Sequence, residues 1–166
     1  MAIDLQQYFR LRCSNMLIME RNIWQIYTEM IRDTKNPMLK ELLEHNNRPL
    51  RHRISNLEQV VDKLGGIIGQ EVDPVTRGMM EAYRIFMDLN PPQEYIDLHN
   101  ALEAERIEHL ELGAYDGLIR LAKHLHLGDI AELLELNLTG ERRMCEVLGG
   151  EIPKLLTQLG EGRRAA

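Results

Sequence analysis

Leucine, methionine, glutamate and arginine recur at spacings of three and four along almost the whole chain, and no stretch sustains the period-two alternation of a strand. Aromatic residues make up only 5% of the sequence, which further disfavours a sheet. The expected fold is therefore all-α. With 166 residues and 44% hydrophobic content, one domain with a sizeable core is the natural size.

Breakers divide the pattern. A first helix is expected from about Asp4 to Asp33, with a stripe at Phe9, Cys13, Met16, Glu20, Ile23, Tyr27 and Met30, ended by the turn TKNP. A second runs from about Met38 to Leu64 on Leu39, Leu43, Leu50, Ile54, Leu57, Val61 and Leu64, and Gly65-Gly66 stops it. A short turn makes these two antiparallel neighbours. GGIIGQEVDP is a loop, Asp73-Pro74 reads as an N-cap followed by proline at the first helical position, and VTRGMMEAYRIFMDL is a shorter helix. Two more long helices follow, from about Gln93 to His126 and from Asp129 to Leu148. Two long helices, a crossover with its own short helix and two more long helices are the connectivity of a ferritin-like four-helix bundle. The bundle is expected over 1–150. Residues 151–166 are expected to be a C-terminal tail, with one helical turn near Pro153 to Leu159 and a frayed end.

The net charge of -6 argues against sequence-independent binding of nucleic acid, which needs clustered lysine and arginine. Cys13 and Cys145 lack the spacing of a zinc site or a disulfide framework, so a reducing cytoplasm is expected. The N-terminus carries no signal pattern, and no apolar run approaches the ~18 residues of a membrane span.

Carboxylates fall on the inward faces. Glu20 lies between Met16 and Ile23, and Glu141 lies on the stripe of Leu134, Leu138, Cys145 and Leu148. Glu105, Glu108 and His109 share a side with Leu98, Leu102, Leu112 and Ile119. A buried carboxylate must be paired, protonated or bound to a cation. Glutamates and histidines from facing helices are how bundles build dinuclear metal sites, whereas single glutamates at a bundle edge merely reach for solvent.

MLIMERNIWQ, NPMLKELLEHNNRPLRHRISNLEQVVDKLGG and AERIEHLELGAYDGLIRLAKHLHLGDIAELLELNL together resemble the YciE/YciF family of bacterial, ferritin-like, stress-associated proteins, from about Ser14 to Leu148. IEHLELGAYDGL, similar to that family's VEHYEIAAYGTL, is the most specific part. The resemblance implies a ferritin-like bundle, a homodimer and a dimetal carboxylate site. Residue by residue, Glu20, Glu108, His109, Glu111 and Glu141 match family site positions. Where the family has a His, a Glu and a Gln or His on helix two, this chain has Asn46, Pro49 and Arg53, and the family's last aspartate is Cys145. The implied site is degenerate.

Arg53 cannot ligate a metal, because guanidinium stays protonated. It can pair with Glu20, Glu108 and Glu141 as a core ion-pair network with no metal or other cofactor, and its charge would repel a divalent ion. The rival arrangement is a reduced site in which Glu20, Glu108, His109 and Glu141 hold one iron or manganese ion. Pro49 costs ~3 kcal/mol in a helix interior, as a kink absorbed by neighbours or as a functional opening. His45 and His52 read as solvent-edge residues and His124 and His126 as C-terminal caps. The two cysteines read as small apolar residues. Trp24, Tyr8 and Tyr83, with several methionines, suit a contact with another subunit or a protein partner. No nucleophile triad or phosphate loop stands out. A non-catalytic structural or interaction protein is therefore the first expectation, and a metalloprotein with oxidation or peroxide chemistry the second.

Overall fold

The computed structural model describes residues 3–69 and 72–165, without the side chains of 160–165. It contains five α-helices and, among the described residues, no strand: α1 (Leu5–Asp33), α2 (Pro37–Lys63), α3 (Pro74–Asp88), α4 (Gln93–His124) and α5 (Gly128–Ala165).

Local chemistry sets the boundaries. Asp4 and Gln7 form a reciprocal capping box at the start of α1. Asn36 accepts from the Leu39 N–H at the start of α2, with Pro37 in the first turn, and Asp73 does the same for Thr76 ahead of α3. Gly65 and Gly66 carry φ of +92° and +89°, which release the chain from α2. The α1–α2 turn is anchored to α4, because Asp97 accepts from the Lys35 and Asn36 N–H groups at 2.8 and 3.0 Å.

The four long helices form a ferritin-like bundle: α1 packs on α2 and α4, and α5 packs on α4 and α2. The crossover joins α2 to α4 across the bundle and lays α3 against α1, where Asn22 donates to the Thr76 hydroxyl and the Tyr83 hydroxyl donates to Asp33. Every residue of the expected α1 stripe is buried. These positions join α2, α4 and α5 residues in one continuous core.

Two expectations are corrected. On α4 the core line is Ala101, Ala104, Ile107, Glu108, Glu111 and Tyr115, while Leu102 is 45% exposed. Ile119 is buried and Leu98 and Leu112 pack at the edge of the core as expected, so Leu102 is the one leucine of the expected line that turns to solvent. At the C-terminus the last helix does not end near Leu148 as expected, because α5 continues through Gly149, Gly150 and Pro153. Leu155 is buried, Ile152 packs on the core, and Asn36 donates to the Gln158 side chain. Pro153 faces solvent. Burial of that apolar edge outweighs the poor helix propensity of glycine and proline.

Candidate functional site

Side chains from all four long helices meet at mid-bundle in a polar layer. Glu20 from α1, Glu108 and Glu111 from α4 and Glu141 from α5 are each 0% exposed, and Arg53 from α2 is 4% exposed. Helical spacing explains the placement: each glutamate continues an apolar stripe, so burying the stripe buries the carboxylate.

Arg53 sits among three of the four carboxylates. Its Nε lies 3.5 Å from Glu20 Oε1, its Nη2 lies 3.5 Å from Glu111 Oε1, and its Nη1 is in direct contact with Glu141 Oε1. Burial disfavours its charge, but Glu111, Glu20 and Glu141 outweigh burial and hold its pKa above the ordinary guanidinium value.

Glu108 has different partners. The Tyr27 hydroxyl donates to Glu108 Oε1 at 2.7 Å, and the Asn46 amide donates to the same oxygen. Tyr115 donates to Glu20, and Asn137 donates to both the Tyr115 hydroxyl at 3.0 Å and the Arg53 carbonyl at 3.1 Å. The ion-pair set expected from sequence is thus revised: Glu111 stands beside Arg53, and Glu108 is held by neutral donors.

Four ionised glutamates against one guanidinium would leave three uncompensated negative charges in the core. Burial pushes Glu141 up to about 10, helped by a hydrogen bond with Glu108 and opposed by Arg53. Burial, then the charges of Glu20 and Glu141, push Glu111 well above the usual carboxylate range. In both groups burial favours the protonated form and the Arg53 guanidinium opposes it, so proton uptake lessens the excess negative charge. Glu20 Oε2, Glu108 Oε2 and Glu111 Oε2 accept no hydrogen bond.

The donor set does not fit a dinuclear centre. Such a centre draws a Glu from each of two helices and a Glu-x-x-His pair from each of the other two. Three residues after Glu108 stands Glu111, three after Glu141 stands Met144, and α2 offers Asn46, Pro49 and Arg53. His109, expected as a ligand, is exposed, since one residue beyond Glu108 is ~100° around the helix. The arrangement does hold oxygens of Glu108, Glu111 and Glu141 within 4.8 Å of one another.

Tyr27, Tyr115 and Asn137 were not singled out from sequence as members of this layer. The signal was present: Tyr27 and Tyr115 stand seven residues after Glu20 and Glu108 respectively, and Asn137 stands four before Glu141.

Other singled-out residues lie elsewhere. Pro49 is on the exposed face of α2, as are His45 and His52. His124 ends α4, and His126 follows it with φ of +57°. Cys13 is buried, and burial pushes its thiol up to about 12. Cys145 is partly exposed, and burial with nearby Glu108 and Glu141 pushes it up to about 11, so neither is an activated nucleophile at neutral pH. Tyr8 and Trp24 are on the surface, but Tyr83 is 5% exposed and serves the α1–α3 contact rather than a partner. No described helix is long and apolar enough to cross a membrane.

The fold recurs in solved structures of low sequence identity. YcfI of Rhodopseudomonas palustris, a candidate structural protein, matches with a TM-score of 0.82 at 22% identity over 89% of this chain and 94% of its own. The stress protein YciF of E. coli matches with a TM-score of 0.83 at 20% identity over 94% of this chain and 99% of its own. A protein of Xanthomonas campestris matches with a TM-score of 0.79 at 15% identity over 97% and 99%. None of the curated proteins matches the sequence significantly. Residues 4–159 match the model of a family described as a domain of unknown function, DUF892, and the chain belongs to that family.

Proposed function

We propose that this protein is a non-catalytic, ferritin-like structural or interaction protein of the cytoplasm, associated with stress, whose Arg53–carboxylate network occupies the place of a dimetal centre. The observation that carries this reading is the single buried guanidinium of Arg53 set among Glu20, Glu111 and Glu141 from three other helices. An arginine in this position satisfies carboxylates without adding a reactive centre, and it repels a divalent cation. The fold shared with the stress protein YciF and the candidate structural protein YcfI supports the stress and structural parts of the reading. Such a protein acts through its surface, as a homodimer or with a protein partner.

A second reading is favoured by one observation: the close oxygens of Glu108, Glu111 and Glu141, several without hydrogen bonds. In that reading the chain is a metalloprotein with one iron or manganese ion and oxidation or peroxide chemistry. Metal content per chain decides between them, measured by elemental analysis after purification without chelator and again after iron and manganese loading. Near-zero metal in both samples is expected. One or two ions per chain, lost in the Glu20→Ala/Glu141→Ala double variant, would overturn the network reading.

A further inference from the structure

The outward face of α2 carries an ordered pattern of charge that the core does not use. Glu41, Glu44, Arg48 and Arg51 follow one another at spacings of three, four and three, so they form one ridge along the helix. Among the described residues none of the four forms an ion pair, although ion pairs are frequent elsewhere on the surface. Arg51 instead lies 5.3 Å over the ring of Trp24 on α1. The acidic half of the ridge precedes the basic half, and the two halves are mirror images in charge about position 46.

Open grooves flank this ridge. On the α1 side a groove of ≈ 550 Å³ is lined by Trp24, Thr28 and Ile31 with Asn47, Arg48 and Arg51. On the α5 side a groove of ≈ 320 Å³ is lined by Met38, Leu42, Val147 and the ridge residues Glu41 and Arg48. Trp24 is 36% exposed and Met38 is 59% exposed. A charged ridge between two partly apolar grooves is the shape that another helix ridge fits.

We infer that the α1/α2 face is the surface on which a second copy of this chain docks, with the two α2 helices antiparallel about a two-fold axis that crosses the ridge midway between Glu44 and Arg48. In that register Glu44 of each copy faces Arg48 of the other, and Glu41 faces Arg51, since both pairs of numbers are centred on 46. Four ion pairs then lie within ~15 Å along the helices at 1.5 Å rise per residue. A two-fold contact must be self-complementary, and this ridge pairs all four of its charges in this register. A slip of three residues along the helix keeps only two of the four pairs, so charge favours this register while Trp24, Ile31, Met38 and Leu42 supply apolar burial. The inference rests on the homodimer reading and adds the face and register.

Charge exchange tests it. Arg48→Glu/Arg51→Glu makes the ridge wholly acidic, and Glu41→Arg/Glu44→Arg makes it wholly basic. All four residues lie on the surface, outside the buried layer, and circular dichroism would check each fold. Sedimentation velocity should show a dimer for the unaltered protein, dimerisation at least tenfold weaker for each variant alone, and a restored dimer with one chain of each kind in an equimolar mixture. The unaltered dimer should also weaken as salt rises from 50 to 500 mM, with a concentration-dependent shift in the fluorescence of Trp24, the only tryptophan. Dimers persisting in both variants, or no dimer in the mixture, would overturn the face while leaving the homodimer reading standing. A monomeric unaltered protein at all concentrations would overturn both.

Discussion

The Tyr27 hydroxyl donates to Glu108 at 2.7 Å across the α1–α4 contact, with both side chains fully buried. This bond, with the Asn46 amide on the same oxygen, divides the mid-bundle layer in two. Neutral donors hold Glu108, and the Arg53 guanidinium serves Glu20, Glu111 and Glu141. The division is physically reasonable, because one guanidinium carries a single charge and about five N–H donors, fewer than the oxygens of four carboxylates.

Removing the Tyr27 hydroxyl leaves Glu108 one donor short in a site that water does not reach. Tyr27→Phe should lower unfolding stability by about 1 to 3 kcal/mol in urea titration, at unchanged helix content. A loss below about 0.5 kcal/mol would show that Asn46 alone suffices.

Arg53→Met should be the more damaging change. It removes the only cation in the layer and leaves carboxylates uncompensated, which costs about 3 to 5 kcal/mol in comparable buried pairs. Thermal and urea unfolding would both register a change of that size, whereas an effect below about 0.5 kcal/mol would mean that protons alone neutralise the glutamates.

The raised carboxyl pKa values fix the direction of the pH dependence. A carboxyl held near 10 in the fold and near 4.5 when unfolded binds a proton only in the native state between those limits. Its contribution to stability is complete below about pH 4.5 and declines as pH rises towards the folded value. The urea midpoint should therefore fall between pH 5 and 9. Glu141→Gln, uncharged at every pH, should flatten that slope by up to about 1.4 kcal/mol per pH unit. An unchanged slope would place the proton elsewhere.

Pro49 occupies the exposed side of α2 and deprives the His45 carbonyl of its helical donor. Pro49→Ala restores that bond and should stabilise the fold by about 1 to 2 kcal/mol, after allowing for the added freedom of the unfolded chain. Differential scanning calorimetry would read this as a higher melting temperature, and a lower one would mean that the ring makes a packing contact worth more than the bond.

Periodicity and breakers alone made the helices, the crossover and the inward placement of Glu20, Glu108 and Glu141 legible, because a stripe of fixed angular width dictates which residues face the core whatever lies opposite. Depth and partnership were not legible. Leu102 and Glu111 share α4 with similar local patterns, yet one faces solvent and the other lies beside Arg53, because the packing of the neighbouring helices sets the rotation of α4. Glycine and proline near residue 150 predict a break, but burial of Leu155 keeps α5 intact. Sequence spacing assigns a face to each residue; only the packed bundle decides which oxygen meets which donor, since that depends on the distances between helices remote in the chain.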